Sequence, residues 1–411
     1  MFRQSLIRAV VVTTALGALS APAVAQPTIK VFGREVQIHG SIQQGAIKSD
    51  GNNFLTMQSN DGSVAMTDGA VNVSSQIAKK FRVGAQVYVR NIGQLGKFRP
   101  QLDWAYADYK FADFLGIRAG KVKTALGLYN DTQDMEFLYT WALLPQAVYP
   151  LDLRSVTISH VGGDVYGRFG LTGAGAISYT LYAGTIPDDP KGGYLYGIQD
   201  NGSEFLTPLK QKVFGGDVRW AWHGVTVGYS YLRSIAKVKV HTTAILPIPL
   251  DIRADVKPWT RQAFYAEYQG AKLRVSAEYR KENRFQGYTA LQPLPPPIDA
   301  MFAQAGAPLD FSAAGWFVAA SYRISDLIEL GVYHDQYVPD TKKDAVTPTN
   351  LIRETVAAVR FDLTSNWNLK VEFHAVKGYG DTSYPHGFYR RVNPTFTNKT
   401  NMLVLRTGFN F

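Results

Sequence analysis

The chain has 411 residues, 46% of them apolar and only 18% charged, with no cysteine and a formal charge of +10. The missing cysteine excludes a disulfide scaffold, a thiolate zinc site, an iron–sulfur cluster and a cysteine nucleophile, and the apolar content is too high for a disordered chain. A mean hydropathy of -0.12 argues against a helical membrane protein, and the positive charge raises the question of an anionic partner.

Residues 1–25 read as a cleaved secretory signal. Arg3 and Arg8 form its basic region, Ala9 to Leu19 its apolar stretch, and Ala23-Val24-Ala25 the small-x-small site before Gln26. The apolar run is too short to cross a bilayer as a helix. With Arg3 and Arg8 removed, the formal charge falls from +10 to +8. Residues 26–411 read as one domain.

From there the pattern alternates with a period of two, the β signal. Phe81, Val83, Ala85, Val87 and Val89 share one face, and Arg82, Gly84, Gln86, Tyr88 and Arg90 the other. Sixteen strands are expected, at 36–48, 69–79, 81–90, 101–111, 116–124, 154–170, 174–184, 213–222, 224–234, 259–269, 271–282, 313–324, 327–336, 352–363, 366–376 and 401–411. A change of outward parity between Ile158 and Val165 suggests a bulge near Gly162-Gly163 in the sixth.

The connections alternate. Short turns fall at Lys79-Lys80, Ala112–Leu115, His223, Gly270, Ser325-Asp326 and Thr364-Ser365. Long segments rich in Pro, Gly, Asp and Asn fall near 49–68, 125–153, 185–212, 235–258, 283–312, 337–351 and 377–400. Short turns at one end, long loops at the other and an even strand count are the signature of an all-β transmembrane antiparallel barrel of the outer-membrane type. Phe81, Phe111, Trp222, Tyr268, Tyr322, Phe361, Trp367 and Phe411 all lie beside a short turn or the C-terminus, at apolar parity, as an interfacial aromatic girdle would.

A lipid-facing Arg or Lys near the bilayer midplane costs about 2–4 kcal/mol, so the charged parity faces the lumen. That set holds Arg82, Arg90, Lys110, Arg118, Arg168, Arg219, Lys272, Arg274, Arg280, Arg360, Lys370 and Arg406, against fewer acids: Asp108, Asp164, Asp217, Glu267, Glu278 and Glu372. Sixteen strands leave an aqueous channel, and this interior reads as suited to water rather than to a packed core.

The sequence resembles the Gram-negative outer-membrane porins, in particular the phosphate-selective (O/P type) family and its relatives. The likeness rests on Trp104–Lys110 followed by Leu115–Gly120, on Gly120–Leu128, and on a terminal strand Leu403–Phe411 that ends on Phe. It implies a homotrimer in outer-membrane lipid and lipopolysaccharide, assembled by the barrel machinery through Phe411. It also implies passive diffusion of small hydrophilic solutes, and a third loop (125–153) folded inward as a constriction. If so, Asp131, Asp134 and Glu136 would face a wall bearing Arg82, Arg90, Arg118, Lys121 and Lys123, with Arg274, Arg360 and Arg406 also lining the pore, and opposed charges would select solutes. Ala125-Leu126 stands where the family pattern has Pro-Phe, and the family's arginine ladder does not match position by position. Phosphate specificity is therefore not carried over.

No nucleotide-binding glycine loop or His-Glu-x-x-His motif is present, the seven histidines are scattered, and the basic residues are spread along the strands rather than clustered for nucleic acid. No cofactor, metal or catalytic set is expected. Ser159, His160 and Asp164 read as ordinary strand-end residues. The expected function is an anion-preferring porin. The alternative is a ligand-specific channel or a barrel enzyme acting on an organic anion or lipid.

Overall fold

The computed structural model describes residues 28–31, 33–344, 347–380 and 386–411, and the expected signal lies outside them. A short β1 (Thr28–Val31) pairs with β2 (Arg34–Asp50). The wall continues through β3 (Ser63–Ala78), β4 (Phe81–Ile92), β5 (Gln101–Ala112), β6 (Leu115–Lys123), β7 (Ser159–Leu171) and β8 (Gly175–Ile186). After the short β9 (Ser203–Phe205) come β10 (Lys210–Trp222), β11 (Val225–Thr242), β12 (Leu250–Gln269), β13 (Leu273–Ala290), β14 (Leu309–Arg323), β15 (Ile328–Val338), β16 (Ile352–Asp362), β17 (Trp367–Lys377) and β18 (Lys399–Asn410). β8 pairs directly with β10, while β9 adds to the far end of β11. All pairings are antiparallel, and β18 returns to β2 from Asn410↔Ser41 to Asn401↔Asp50. The result is a closed sixteen-stranded barrel without a free edge. At the seam Phe411 bonds Gly40 in both directions, at 2.9 and 3.0 Å. A Cβ on Gly40 would sit 2.3 Å from the tip of the Phe411 ring, so a larger residue there would push that ring aside.

Alternation gives each strand an apolar outer face. Ile42, Val87, Ile117, Leu181, Phe264 and Phe373 are all exposed and belong to one belt around the barrel. In water so large an apolar surface is unfavourable; against lipid it is the expected exterior. No helix among the described residues is long and apolar enough to cross a membrane. Of the expected girdle, Phe111, Trp222, Tyr268, Tyr322 and Phe411 are exposed, and Phe81, Phe361 and Trp367 are half-buried.

Each expected strand overlaps a wall strand, with three corrections. First, 235–258 is not a loop: β11 and β12 run on to Thr242 and from Leu250. Their periodicity persists with its sign reversed. Lys237, Lys239, His241 and Arg253 turn outward, while Val238, Val240, Ile252 and Ala254 are buried inside. Beyond the lipid edge the outer face meets water, so charge moves to the side that is apolar lower down. A register shift between Val256 and Trp259, containing Lys257 and Pro258, changes the parity within β12. Second, Gly162-Gly163 carries no bulge, since β7 keeps unbroken register with both β6 and β8. Ile158 lies before the strand, in a loop whose last 3-10 turn is Leu151–Val156, so its parity says nothing about β7.

Third, the interior is not lined for water throughout. Its largest apolar cluster joins Phe54 and Met57 of the first loop, Tyr139, Trp141, Leu143 and Val148 of the third and Phe388 of the last to Phe317, Tyr333 and Val356 of the wall. The strand pattern misses this core because inturned loops supply half of it.

Candidate functional site

The segment between β6 and β7, residues 124–158, crosses the barrel interior. The crossing begins at Gly127, whose φ of +73° suits glycine. A Cβ there would lie 2.3 Å from the Glu278 carboxylate on β13. Gly127 N–H donates to Ser230 of β11 at 2.8 Å, and Leu128 N–H to Glu278 at 2.9 Å. An irregular loop has no ladder to satisfy its backbone, so buried N–H and C=O groups need other partners. Here charged wall residues provide them. Glu372 accepts from Ala142 and Leu143 N–H at 2.7 and 3.2 Å, and Asp335 from Ala147 N–H at 3.1 Å. Lys370 donates to the Glu136 and Trp141 carbonyls at 2.8 and 2.9 Å. Arg360 donates to the Phe137 and Tyr139 carbonyls at 2.7 and 2.8 Å, and Arg274 to the Leu138 carbonyl at 3.1 Å. Arg406 donates to the Ala142 carbonyl at 2.7 Å. Aromatic packing completes the fit: Tyr129 stacks on Phe317 at 6.0 Å, and Trp141 meets Tyr333 edge-on at 5.1 Å.

The structure pairs most of the expected pore residues instead of leaving them opposed. Lys123 binds the Asp134 carboxylate at 2.6 Å and the Asp131 carbonyl at 2.8 Å. Glu136 reaches the opposite wall, 2.5 Å from Lys370. Arg90 is buried against Asp189 of the fourth loop at 3.0 Å. Arg118 lies 3.6 Å from Asp108 and 4.0 Å from Asp164, with its guanidinium over the Tyr166 ring. Lys121 donates to the Leu102 carbonyl at 2.5 Å, and Arg82 to Ser74 at 2.9 Å. Arg274 meets Glu267 at 2.7 Å, Arg360 meets Asp362 at 2.7 Å and Arg406 meets Asp68 at 2.5 Å. The expected gap between the loop acids and Arg82, Arg90 and Arg118 is therefore not the geometry. Leaving such charges buried and opposed across a narrow space would cost more than pairing them. Burial raises the Asp134 and Glu136 carboxyls, but Lys123 with Arg154, and Lys370 with Arg406, outweigh it and hold both below the ordinary range.

Several residues of this network escape the sequence pattern. Arg154 of the loop donates to both oxygens of Asp103, at 3.0 and 2.7 Å, and its guanidinium lies 4.0 Å from the Tyr88 ring. Asp103 has the parity of the lipid face. A register shift between Gln86 and Val87 adds one residue at that point of β5 and turns Asp103 inward. Asp152 accepts from Gly387 N–H at 3.0 Å and the Tyr389 hydroxyl at 2.8 Å, tying the third loop to the last. His374 lies 2.8 Å from Glu354 and 3.1 Å from Glu372, all three buried. His160 is engaged by Thr124 at 3.0 Å and by Asp164 at 3.0 Å, and Ser159 is buried beside them without a side-chain bond to His160 among the described contacts.

No protein-family profile and no curated protein sequence matches the chain. Solved structures do. Among them is the outer-membrane expressed OmpT of Vibrio cholerae, at 12% identity and TM-score 0.58, covering 94% of this chain and 100% of that one. That protein is also described in a trimer form. The outer-membrane channel DcaP of Acinetobacter baumannii matches at 10% identity and TM-score 0.54, over 94% and 100%. An anion-selective porin from Comamonas acidovorans matches at 12% and 0.52, over 92% and 100%. At these identities the likeness is one of fold, and nothing in it singles out the phosphate-selective type: the chain has the sixteen-stranded barrel fold of the outer-membrane porins.

Proposed function

We propose that the chain is an outer-membrane channel through which small hydrophilic solutes diffuse passively, narrowed by residues 124–158 and preferring anions. The observation that carries this reading is the third loop held across a lipid-clad barrel by charged wall residues. Solutes would pass between that loop and the wall. On the inner strand faces near the short turns, Arg82, Lys110, Arg118, Arg168, Arg219, Arg274, Arg323 and Arg360 outnumber Asp108, Asp164, Asp217, Glu267, Glu329 and Asp362. Most of these cations sit beside an acid, as Arg219 does beside Asp217 at 2.8 Å and Arg323 beside Asp362 at 2.7 Å. The preference is therefore modest. One uncompensated charge about 7 Å from a permeating ion in water is worth about 0.6 kcal/mol, about threefold in permeability.

Export by a signal cleaved before Gln26, a homotrimeric state, contact with lipopolysaccharide and assembly through Phe411 belong to the same reading. Liposome swelling tests the channel itself. Vesicles carrying the folded protein should swell in arabinose and faster in gluconate of the same osmolarity. Vesicles that stay impermeable to both would contradict diffusion.

A further inference from the structure

Above the apolar belt, the outer face of β10 to β13 changes from aromatic and aliphatic to basic. Tyr229, Phe264 and Tyr279 stand side by side in the strand register and are exposed. Higher on the same face come Lys212, Arg233, Lys257 and Lys281, one on each of four neighbouring strands and all exposed. Arg233 and Lys281 each lie eight residues above the first residue of their strand, Val225 and Leu273, and Lys212 lies ten above Trp222. At about 3.3 Å per residue and a tilt of about 40°, these positions are about 20–25 Å above the short-turn end. That is the height at which an apolar band of about 25 Å gives way to lipid head groups. Lys257 is slightly higher, at the register shift of β12. Arg233 marks the edge, with its guanidinium 5.8 Å from the centre of the exposed Phe214 ring. Four strands at about 4.8 Å spacing span about 14 Å across the wall, so the four cations share the footprint of one large head group.

The pairing of charges on this face is uneven. Among the described residues none of the four cations has a carboxylate partner, whereas the acids are mostly taken. Asp255 lies 2.9 Å from Arg253 and 3.8 Å from Lys237, and Asp251 lies 2.6 Å from His241. Glu204 stands opposite His241 in register, eight residues up the wall from Arg233. Four like charges held together without counter-charge attract anions, and at this height the anions of a leaflet are head-group phosphates. A divalent cation bridging protein to phosphate is bound through protein carboxylates, and this level of the wall has none to spare. The ammonium and guanidinium groups would therefore meet phosphate directly.

We propose that this sector docks a phosphorylated glycolipid head group of the outer leaflet, the lipid A part of lipopolysaccharide, held by Lys212, Arg233, Lys257 and Lys281 without a divalent cation. The site rests on the outer-membrane reading above but not on permeation, so a failure to bind with liposome swelling intact counts against the site alone.

The test uses the full protein in maltoside micelles with EDTA present, titrated with diphosphoryl lipid A, with dephosphorylated lipid A and with phosphatidylglycerol, and read by native mass spectrometry. One saturable lipid A adduct per chain is expected, at least about tenfold tighter than either of the other two lipids. Lys212→Gln, Arg233→Gln, Lys257→Gln and Lys281→Gln combined should weaken lipid A binding at least about tenfold. Lys30→Gln, Arg34→Gln, Lys79→Gln and Lys80→Gln combined remove as much charge from exposed positions at the opposite end, and should leave the affinity unchanged. The comparison of lipids on the parent protein keeps the test open should the first variant fail to assemble. Equal affinity for lipid A and either other lipid, lipid A binding lost on adding EDTA, undiminished binding to the first variant, or an equal loss in the second would each overturn the proposal.

Discussion

Lys370 is fully enclosed, and its ammonium holds the Glu136 carboxylate together with two carbonyls of the third loop. Removing one member of such a buried pair costs about 3–5 kcal/mol, because the other is left uncompensated. Lys370→Met should therefore lower the unfolding free energy of the barrel folded in lipid vesicles by that order, read as a fall in its urea midpoint, and a second change, Glu136→Gln, should restore part of it. An unchanged midpoint for the single variant would show that the pair does not hold the loop. Asp152 gives a pH-dependent counterpart. Burial pushes its carboxyl up to about 6 despite the bonds from Tyr389 and Gly387. A folded-state value above the unfolded one means that the folded chain binds the proton more tightly. Stability from this group is thus present at low pH and lost as pH rises from about 4 to about 6, by about 3 kcal/mol at the outside. Asp152→Asn keeps an acceptor for both donors and carries no charge. Its stability relative to the parent should grow across that window; a constant difference from pH 4 to pH 7 would contradict the assignment.

The strands were legible because each alternates against two different solvents, and that alternation survives in sequence. The errors fall where an added residue or a change of solvent breaks the rule. A bulge hides Asp103, and 235–258 reads as a loop in sequence because its charge lies on the outer face beyond the lipid edge. The third loop is a different case. Asp131, Asp134 and Glu136 stand out as acids, but their partners Lys123 and Lys370 lie on opposite sides of the barrel, and no local period encodes contacts of that range. Gly127 is where the element is most easily tested. Valine there would meet the Glu278 carboxylate and adopt an unfavourable φ. Gly127→Val should displace the loop from β13 and raise single-channel conductance while the barrel still assembles. Unchanged conductance in a folded barrel would mean that this loop does not narrow the path.

For the whole molecule, the sequence charge is +10, and its inward share lies mostly beside acids. A barrel with inturned loops and paired charges is suited to weak selection by charge, which salt weakens further because the screening length falls to about 8 Å at physiological ionic strength. The account predicts a channel with a small anion preference that Arg118→Glu reduces or reverses, since Arg118 is 30% exposed between Asp108 and Asp164. The most direct measurement is the zero-current potential of the purified protein in a planar bilayer across a dilute potassium chloride gradient. The expected result is ohmic channels whose potential has the sign of chloride preference, with a permeability ratio of about three. Preference for potassium would contradict the cationic path, and absence of channels would contradict the porin function itself.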